Sequence, residues 1–179
     1  MRDSMTPTGQ RRVVATAPGT ARSSGGQRAL GLVGSPNFRD AGGYAAGTRD
    51  RMHWGRVYRS GHLAYLTRED RERLAALDLD LVIDLRRADE RDLEPSALPE
   101  GVSFHGADIT PGSQASAIYA DSTRLGGARA MFDFMCDINR EFVRSQSGTY
   151  REIFAALLDS GAERVLVHCS AGKDRTGFA

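Results

Sequence analysis

The sequence predicts an α/β fold with a central, mainly parallel sheet flanked by helices, on three observations. Residues 79–85 (Leu-Asp-Leu-Val-Ile-Asp-Leu) and 164–168 (Arg-Val-Leu-Val-His) are short, mostly apolar runs that read as buried strands. Residues 128–144 and 150–158 carry apolar side chains at helical spacing. Helices alternating with buried strands are the pattern of parallel crossover units. At 179 residues the chain has the length of one domain.

Taken in order, residues 1–34 are rich in Gly, Ser, Thr, Ala and Arg without a sustained period, and read as a mobile arm. Within it, the apolar run 30–33 could form a short edge strand. From Ser35 the chain reads as folded, and the Gly pair in Asn37-Phe38-Arg39-Asp40-Ala41-Gly42-Gly43-Tyr44 marks a turn. Residues 57–60 are a short strand. Thr67 is a good N-cap, followed by acidic residues in the first turn and by Leu74 and Leu77 three apart, so a helix starts there. Residues 86–97 are charged and hold a loop or short helix, and 105–127 look irregular. The helix over 128–144 is marked by Met131, Phe134, Met135, Ile138 and Phe142. The next is marked by Tyr150, Ile153, Phe154, Leu157 and Leu158.

Charge excludes several functions. The chain has 24 basic and 23 acidic side chains, a net charge of +1, so no global field gathers nucleic acid or anionic lipid, and any phosphate site must be local. Two cysteines, Cys136 and Cys169, cannot build a disulfide framework and point to a reducing compartment. No apolar run approaches the roughly 20 residues of a membrane span, and the first residues lack the apolar core of a signal peptide. The reading is therefore cytoplasmic, with no nucleic-acid partner and no stable membrane association; non-classical export stays open.

The chemistry concentrates in His168-Cys169-Ser170-Ala171-Gly172-Lys173-Asp174-Arg175-Thr176-Gly177. A Cys follows a buried strand, and an Arg follows after five residues. A loop of that length can curl so that its backbone N–H groups converge on one anion, with Arg175 closing the ring as a planar fork. Cys169 at the floor of such a cup meets donors that favour thiolate over thiol, and a helix starting near Thr176 would add its positive end. A thiolate below a bound phosphoryl group is placed for in-line attack through a phosphocysteine. The chain uses Arg 23 times and Lys once, and that Lys173 sits in the loop, where it adds charge without taking the bidentate position.

This run resembles the H-C-x5-R-[S/T]-G signature of protein tyrosine phosphatases. It is most similar to the atypical bacterial group of the mycobacterial PtpB type, with a Gly-Lys-Asp-Arg loop. Asn37 to Gly43, Tyr58-Arg59-Ser60 and Val82-Ile83-Asp84-Leu85-Arg86 resemble that group's other motifs in order. The resemblance implies a cysteine-phosphatase-like domain over residues 35–179 that hydrolyses phosphotyrosine in a protein or peptide. Phosphoserine, phosphothreonine or phosphoinositide activity is an extension suggested by the tensin-like Gly172-Lys173 spacing. It implies Cys169 as nucleophile and Arg175 as phosphoryl ligand, with Ser170, Ala171, Gly172 and Lys173 lining the cup. His168 would orient the loop and favour the thiolate, and Thr176 would assist it with its hydroxyl. No metal or other cofactor is required. The leaving oxygen needs a proton. Trp54-Gly55 is not the Trp-Pro-Asp of many relatives, so Asp174 and Asp84 are the candidates. Asp174 is favoured, with Asp84 holding the Arg or the loop.

Plainer readings hold elsewhere. Cys136 reads as packing. Arg39 and Asp40 read as a turn-stabilising ion pair, although the resemblance implies bracing of the loop. His53, His62 and His105 lack metal-ligand spacing. Arg86, Arg87 and Arg91 read as a solvated face, and the Met131 to Phe142 pattern as core, with a lid implied for some relatives. The chain ends four residues after Arg175, which predicts a chain truncated after the loop, without the C-terminal helices of related enzymes. Two alternatives follow: an inactive phosphate-binding fragment, and a rhodanese-type sulfurtransferase, against which the five-residue spacing and Thr176-Gly177 argue.

Overall fold

A computed structural model describes residues 27–110 and 126–179. The described residues hold seven strands: β1 (Arg39–Asp40), β2 (Ala45–Ala46), β3 (Asp50–Arg51), β4 (Val57–Ser60), β5 (Leu81–Asp84), β6 (Ser103–Gly106) and β7 (Val165–His168). The helices of the described residues are α1 (Arg68–Ala75), α2 (Ala88–Leu93), α3 (Ala128–Ser145), α4 (Ser147–Asp159) and α5 (Asp174–Phe178). The main sheet has the order β1-β4-β7-β5-β6, with β2 and β3 forming a separate hairpin. All pairings within the main sheet are parallel except β1 with β4. The predicted α/β class with a mainly parallel sheet and flanking helices is what the chain adopts.

The sheet is buried on both faces because its strands are apolar on both. Val82 and Leu166 meet Leu63, Leu66, Leu74 of α1, Phe38 and Tyr58 on one side. Leu81, Ile83 and Val165 meet Ile138 and Phe142 of α3 and Tyr150 and Ile153 of α4 on the other. Fully burying a side chain such as Leu74 or Ile83 stabilises the fold by about 1.5–3 kcal/mol. In the Met131 to Phe142 pattern, Ile138 and Phe142 are core, Phe134 and Met135 pack partly against it, and Phe132 is exposed. Cys136 is half-buried on the same helix.

Thr67 caps α1 as predicted, its hydroxyl accepting from the Asp70 N–H while the Asp70 carboxylate accepts from the Thr67 N–H. The same carboxylate takes the N–H groups of Val33 and Gly34 at 3.0 and 2.8 Å. Residues 27–34, read from composition as the end of an arm, are thereby tied to the domain. The edge strand expected at 30–33 is a single bridge one residue earlier, Ala29 to Arg39. Residues 1–26 lie outside the described residues.

Three local expectations need correction. The irregular stretch expected from His105 contains part of β6, whose half-exposed Ser-Phe-His-Gly sequence carries no buried-strand signal; most of the remainder, 111–125, lies outside the described residues. Arg39 and Asp40 are not paired with one another: Asp40 accepts the N–H groups of Gly42 and Gly55, each at 2.7 Å, and Arg39 donates to the Asn37 carbonyl. Arg86 is not solvated but 1% exposed.

Candidate active site

The strand register builds the site. Ser60, His168 and Asp84 lie side by side at the C-terminal ends of β4, β7 and β5, and Gly106 of β6 continues the row. Ligands gather outside that edge in parallel sheets. The Cys169 loop leaves the central strand there, between the chain after β4 and the chain after β5. Its backbone is fixed on both sides: His62 N–H donates to Ser170 O at 2.9 Å, and Leu85 N–H to His168 O at 2.8 Å.

The rest of the loop is held by its carbonyls. Asn37 Nδ2 donates to Ala171 O at 2.7 Å, and Arg59 Nη2 to Gly172 O at 3.1 Å and Lys173 O at 3.3 Å. With Ser170 O, four successive carbonyls are drawn outward. In a trans peptide the following N–H points the opposite way, and the described chain has no cis peptide. The N–H groups of Ala171, Gly172, Lys173 and Asp174 therefore point away from those partners, the orientation a cup requires. Gly172 is required twice over. Its φ is +66°, and a Cβ would stand 2.3 Å from the Ser60 carbonyl carbon.

Cys169 sits at the floor, 2% exposed, within the cluster shared with α3 and α4. Arg175 is in the first turn of α5, which starts at Asp174, two residues before the expected position; at five residues it adds little dipole. Thr176 is buried, and its Oγ1 has no hydrogen-bond partner. Lys173 is exposed, its Nζ 3.8 Å from Asp174 Oδ1, and Asp174 is half-buried at the rim.

His168 is fully buried, its Nδ1 3.4 Å from the Cys169 carbonyl and its Nε2 3.4 Å from Asp84 Oδ2. Burial pushes its pKa down to about 4 against the opposing pull of Asp84. The ring is therefore neutral at pH 7. It can orient the loop, but it offers Cys169 no positive charge.

The role of holding Arg175 falls to a residue the sequence did not single out. Arg175 Nη1 and Nη2 donate to the two carboxylate oxygens of Glu90 at 2.7 and 2.9 Å. Ser170 Oγ donates to Glu90 Oε1 at 2.6 Å and accepts from Arg175 Nη2 at 2.9 Å. Glu90 is itself fixed as the third residue of α2, accepting the Arg87 N–H. Asp84, by contrast, is 0% exposed and its oxygens are taken by Arg86, which also donates to Glu94 O and Ser96 Oγ. Asp84 holds an Arg, but it is Arg86 and not Arg175.

Burial alone would raise the Glu90 carboxyl; Arg175 and Ser170 outweigh it and hold the pKa at about 2 against the usual 4.5. A depressed carboxyl stabilises above its unfolded pKa. The pair is therefore fully present above pH 4.5 and fades as the pH falls toward 2. Where the site turns over substrate, Glu90→Gln should lower kcat/KM by about 10- to 100-fold through a misaligned guanidinium. It should also remove the gain in stability that the wild type shows between pH 2 and 4.5, read by thermal melts across that window.

Residues 30–179 match the model of the tyrosine phosphatase family. A Cupriavidus necator protein assigned by name to the tyrosine-protein phosphatases is 38% identical over 170 residues, covering 93% of this chain and 60% of its own. A tyrosine-protein phosphatase of Nostoc commune is 30% identical over 123 residues, covering 67% and 39%. The triple specificity protein phosphatase PtpB of Mycobacterium tuberculosis is 29% identical over 178 residues, covering 82% and 59%. The chain thus spans 60% or less of the length of each of these relatives. With its match running from ahead of β1 through the Cys169 loop and α5, the chain belongs to the tyrosine phosphatase family.

Proposed function

We propose that the chain carries a cysteine-dependent phosphomonoester hydrolase that acts on phosphotyrosine in proteins or peptides. The observation that supports this most is the outward draw of four loop carbonyls above the buried Cys169, with Arg175 set at the rim by Glu90. In this reading the Cys169 thiolate attacks phosphorus in line and the bond to the phenolic oxygen breaks. Inward N–H groups and Arg175 take the charge on the phosphoryl oxygens. Asp174 gives its proton to the leaving oxygen, then accepts one from the water that breaks the P–S bond and releases phosphate. Thr176, with its unpartnered buried hydroxyl, is the donor assigned to the returning thiolate. His168 keeps the loop in register.

Of the two acid candidates, Asp174 fits the role. It stands at the rim with part of its surface open, whereas both Asp84 oxygens lie under Arg86. Lys173 supports an extension to phosphoserine, phosphothreonine or phosphoinositide, being exposed at the same rim; one relative is named a triple specificity phosphatase. A nucleophilic thiol of this kind works in a reducing, cytoplasmic setting. No helix among the described residues is long and apolar enough to cross a membrane.

The test is release of phosphate from a phosphotyrosyl peptide and from p-nitrophenyl phosphate, with acid quenching to trap phosphate on sulfur. Turnover that vanadate blocks, with the label on Cys169, is expected. Phosphate binding without turnover or trapping would leave only a phosphate-binding module, and thiosulfate sulfur transfer would favour the rhodanese reading. Asp174→Asn should cost roughly 10²-fold on the phosphotyrosyl peptide and much less on p-nitrophenyl phosphate, whose leaving group needs no proton. Equal losses on both would remove Asp174 from the acid role.

A further inference from the structure

Among the buried side-chain groups near the Cys169 loop that lack a hydrogen-bond partner, beside Arg59 Nε and His62 Nδ1 on the residues that hold its carbonyls, are His168 Nε2, Thr176 Oγ1 and the Tyr150 hydroxyl. His168 and Thr176 belong to the loop signature. Tyr150 does not; it lies in α4, within the buried cluster that includes Cys169. An unpaired hydroxyl in that position makes tyrosine a costlier choice than phenylalanine. The ring already does all that packing asks. It lies 5.1 Å from the ring of Phe178, which also meets Phe142 at 5.5 Å. Those contacts dock α5, the turn that carries Asp174, Arg175 and Thr176, onto α3 and α4. The hydroxyl is within electrostatic reach of both Cys169 and Arg175, the thiolate acting to raise its pKa and the guanidinium to lower it, while burial, the largest influence, raises it to about 12. It is thus a buried, unpartnered proton donor in the same cluster as Cys169.

We propose that Tyr150 is a positioning residue of the Cys169 site, its ring locking the Arg175 turn through Phe178 and its buried hydroxyl reserved as a dipole for the charge borne by the sulfur and the phosphoryl group. The inference rests on the phosphatase reading for the phosphoryl part, but its effect on the sulfur stands without turnover. The other titratable and charged groups around this centre are Asp174 and Arg175 from α5, Lys173 from the loop, Arg59 from β4, Arg87 and Glu90 at the start of α2, Asp84 and Arg86 at the end of β5, and His168 from β7. None is altered by replacing the hydroxyl alone.

The experiment is Tyr150→Phe, which keeps the ring and its contact with Phe178. Iodoacetamide alkylation of Cys169 is followed against pH, by mass spectrometry, beside thermal melts. The variant should melt at or slightly above the wild-type temperature. Its alkylation near pH 6 should slow by about three- to tenfold, the size of one lost hydrogen-bond-scale interaction, with the whole profile displaced to higher pH. Where the wild type turns over, kcat should fall by a similar factor, with KM changed less. An alkylation profile superimposable on the wild type would overturn the proposal and leave Tyr150 a packing residue. Wild-type alkylation proceeds whether or not phosphate esters are hydrolysed, so failure of the phosphatase reading shows separately, as absent turnover with a normal alkylation response.

Discussion

Cys169→Ser should abolish phosphate ester hydrolysis, by on the order of 10⁴- to 10⁶-fold in kcat. The substitution changes one atom at the floor of the cup. Cys169 is 2% exposed, so a hydroxyl, smaller than a thiol, enters without disturbing the cluster. What changes is nucleophilicity: in the proposed reaction a thiolate attacks, and an alcohol has no comparable population of anion to offer near neutrality. The cup itself survives. Its inward N–H groups depend on Asn37, Arg59 and His62, and Arg175 depends on Glu90, through hydrogen bonds in which the sulfur takes no part. Affinity for phosphate or vanadate should therefore be kept within a few-fold while turnover disappears, measured by calorimetry on the same preparation used for kinetics. Retained turnover would move the nucleophile elsewhere; joint loss of binding and turnover would point to a folding defect.

What could be read from the chain, and what could not, follows the range of the signal. The strands 79–85 and 164–168 were legible because a strand buried on both faces must be apolar along its length. The loop was legible because closure by Arg175 depends on a count of five residues and on glycine at position 172, where the backbone has a positive φ and no room for a Cβ. Glu90 was hidden because its partner lies 85 positions away. In a segment dense with charge, Arg87 to Arg91, nothing local distinguishes a carboxylate that faces the site from one that faces water. The one readable hint was the position of Glu90 three residues after Arg87 at the start of α2, a spacing that fixes a carboxylate by its own backbone. Arg86 was misread for the same reason: an Arg next to other Arg residues looks solvated until a strand end is known to bury it. The β6 strand was missed because an edge strand with exposed Ser103 and Phe104 has no apolar run to announce it.

Asp84→Ala should destabilise the fold by about 3–5 kcal/mol, the usual result of removing one partner of a buried ion pair. Asp84 and Arg86 are 0% and 1% exposed. The carboxylate accepts the Arg86 N–H and Nε at 3.0 Å and Nη2 at 2.8 Å. Remove it, and the guanidinium keeps only Glu94 O and Ser96 Oγ, a buried charge with its counter-ion gone. Melting temperature should drop by roughly 6–20 °C for a chain of this size. Replacing both partners tests the cause. Asp84→Leu with Arg86→Met should recover most of the loss, since an apolar pair of similar volume owes no desolvation, whereas a simple cavity at Asp84 would leave the double variant no better than the single one. The same pair separates scaffold from chemistry. If Asp84 supports the site only through Arg86, the folded fraction of Asp84→Asn should show one activity loss on phosphotyrosyl peptide and on p-nitrophenyl phosphate alike. A loss confined to the peptide would return the proton donor to Asp84 and take it from Asp174.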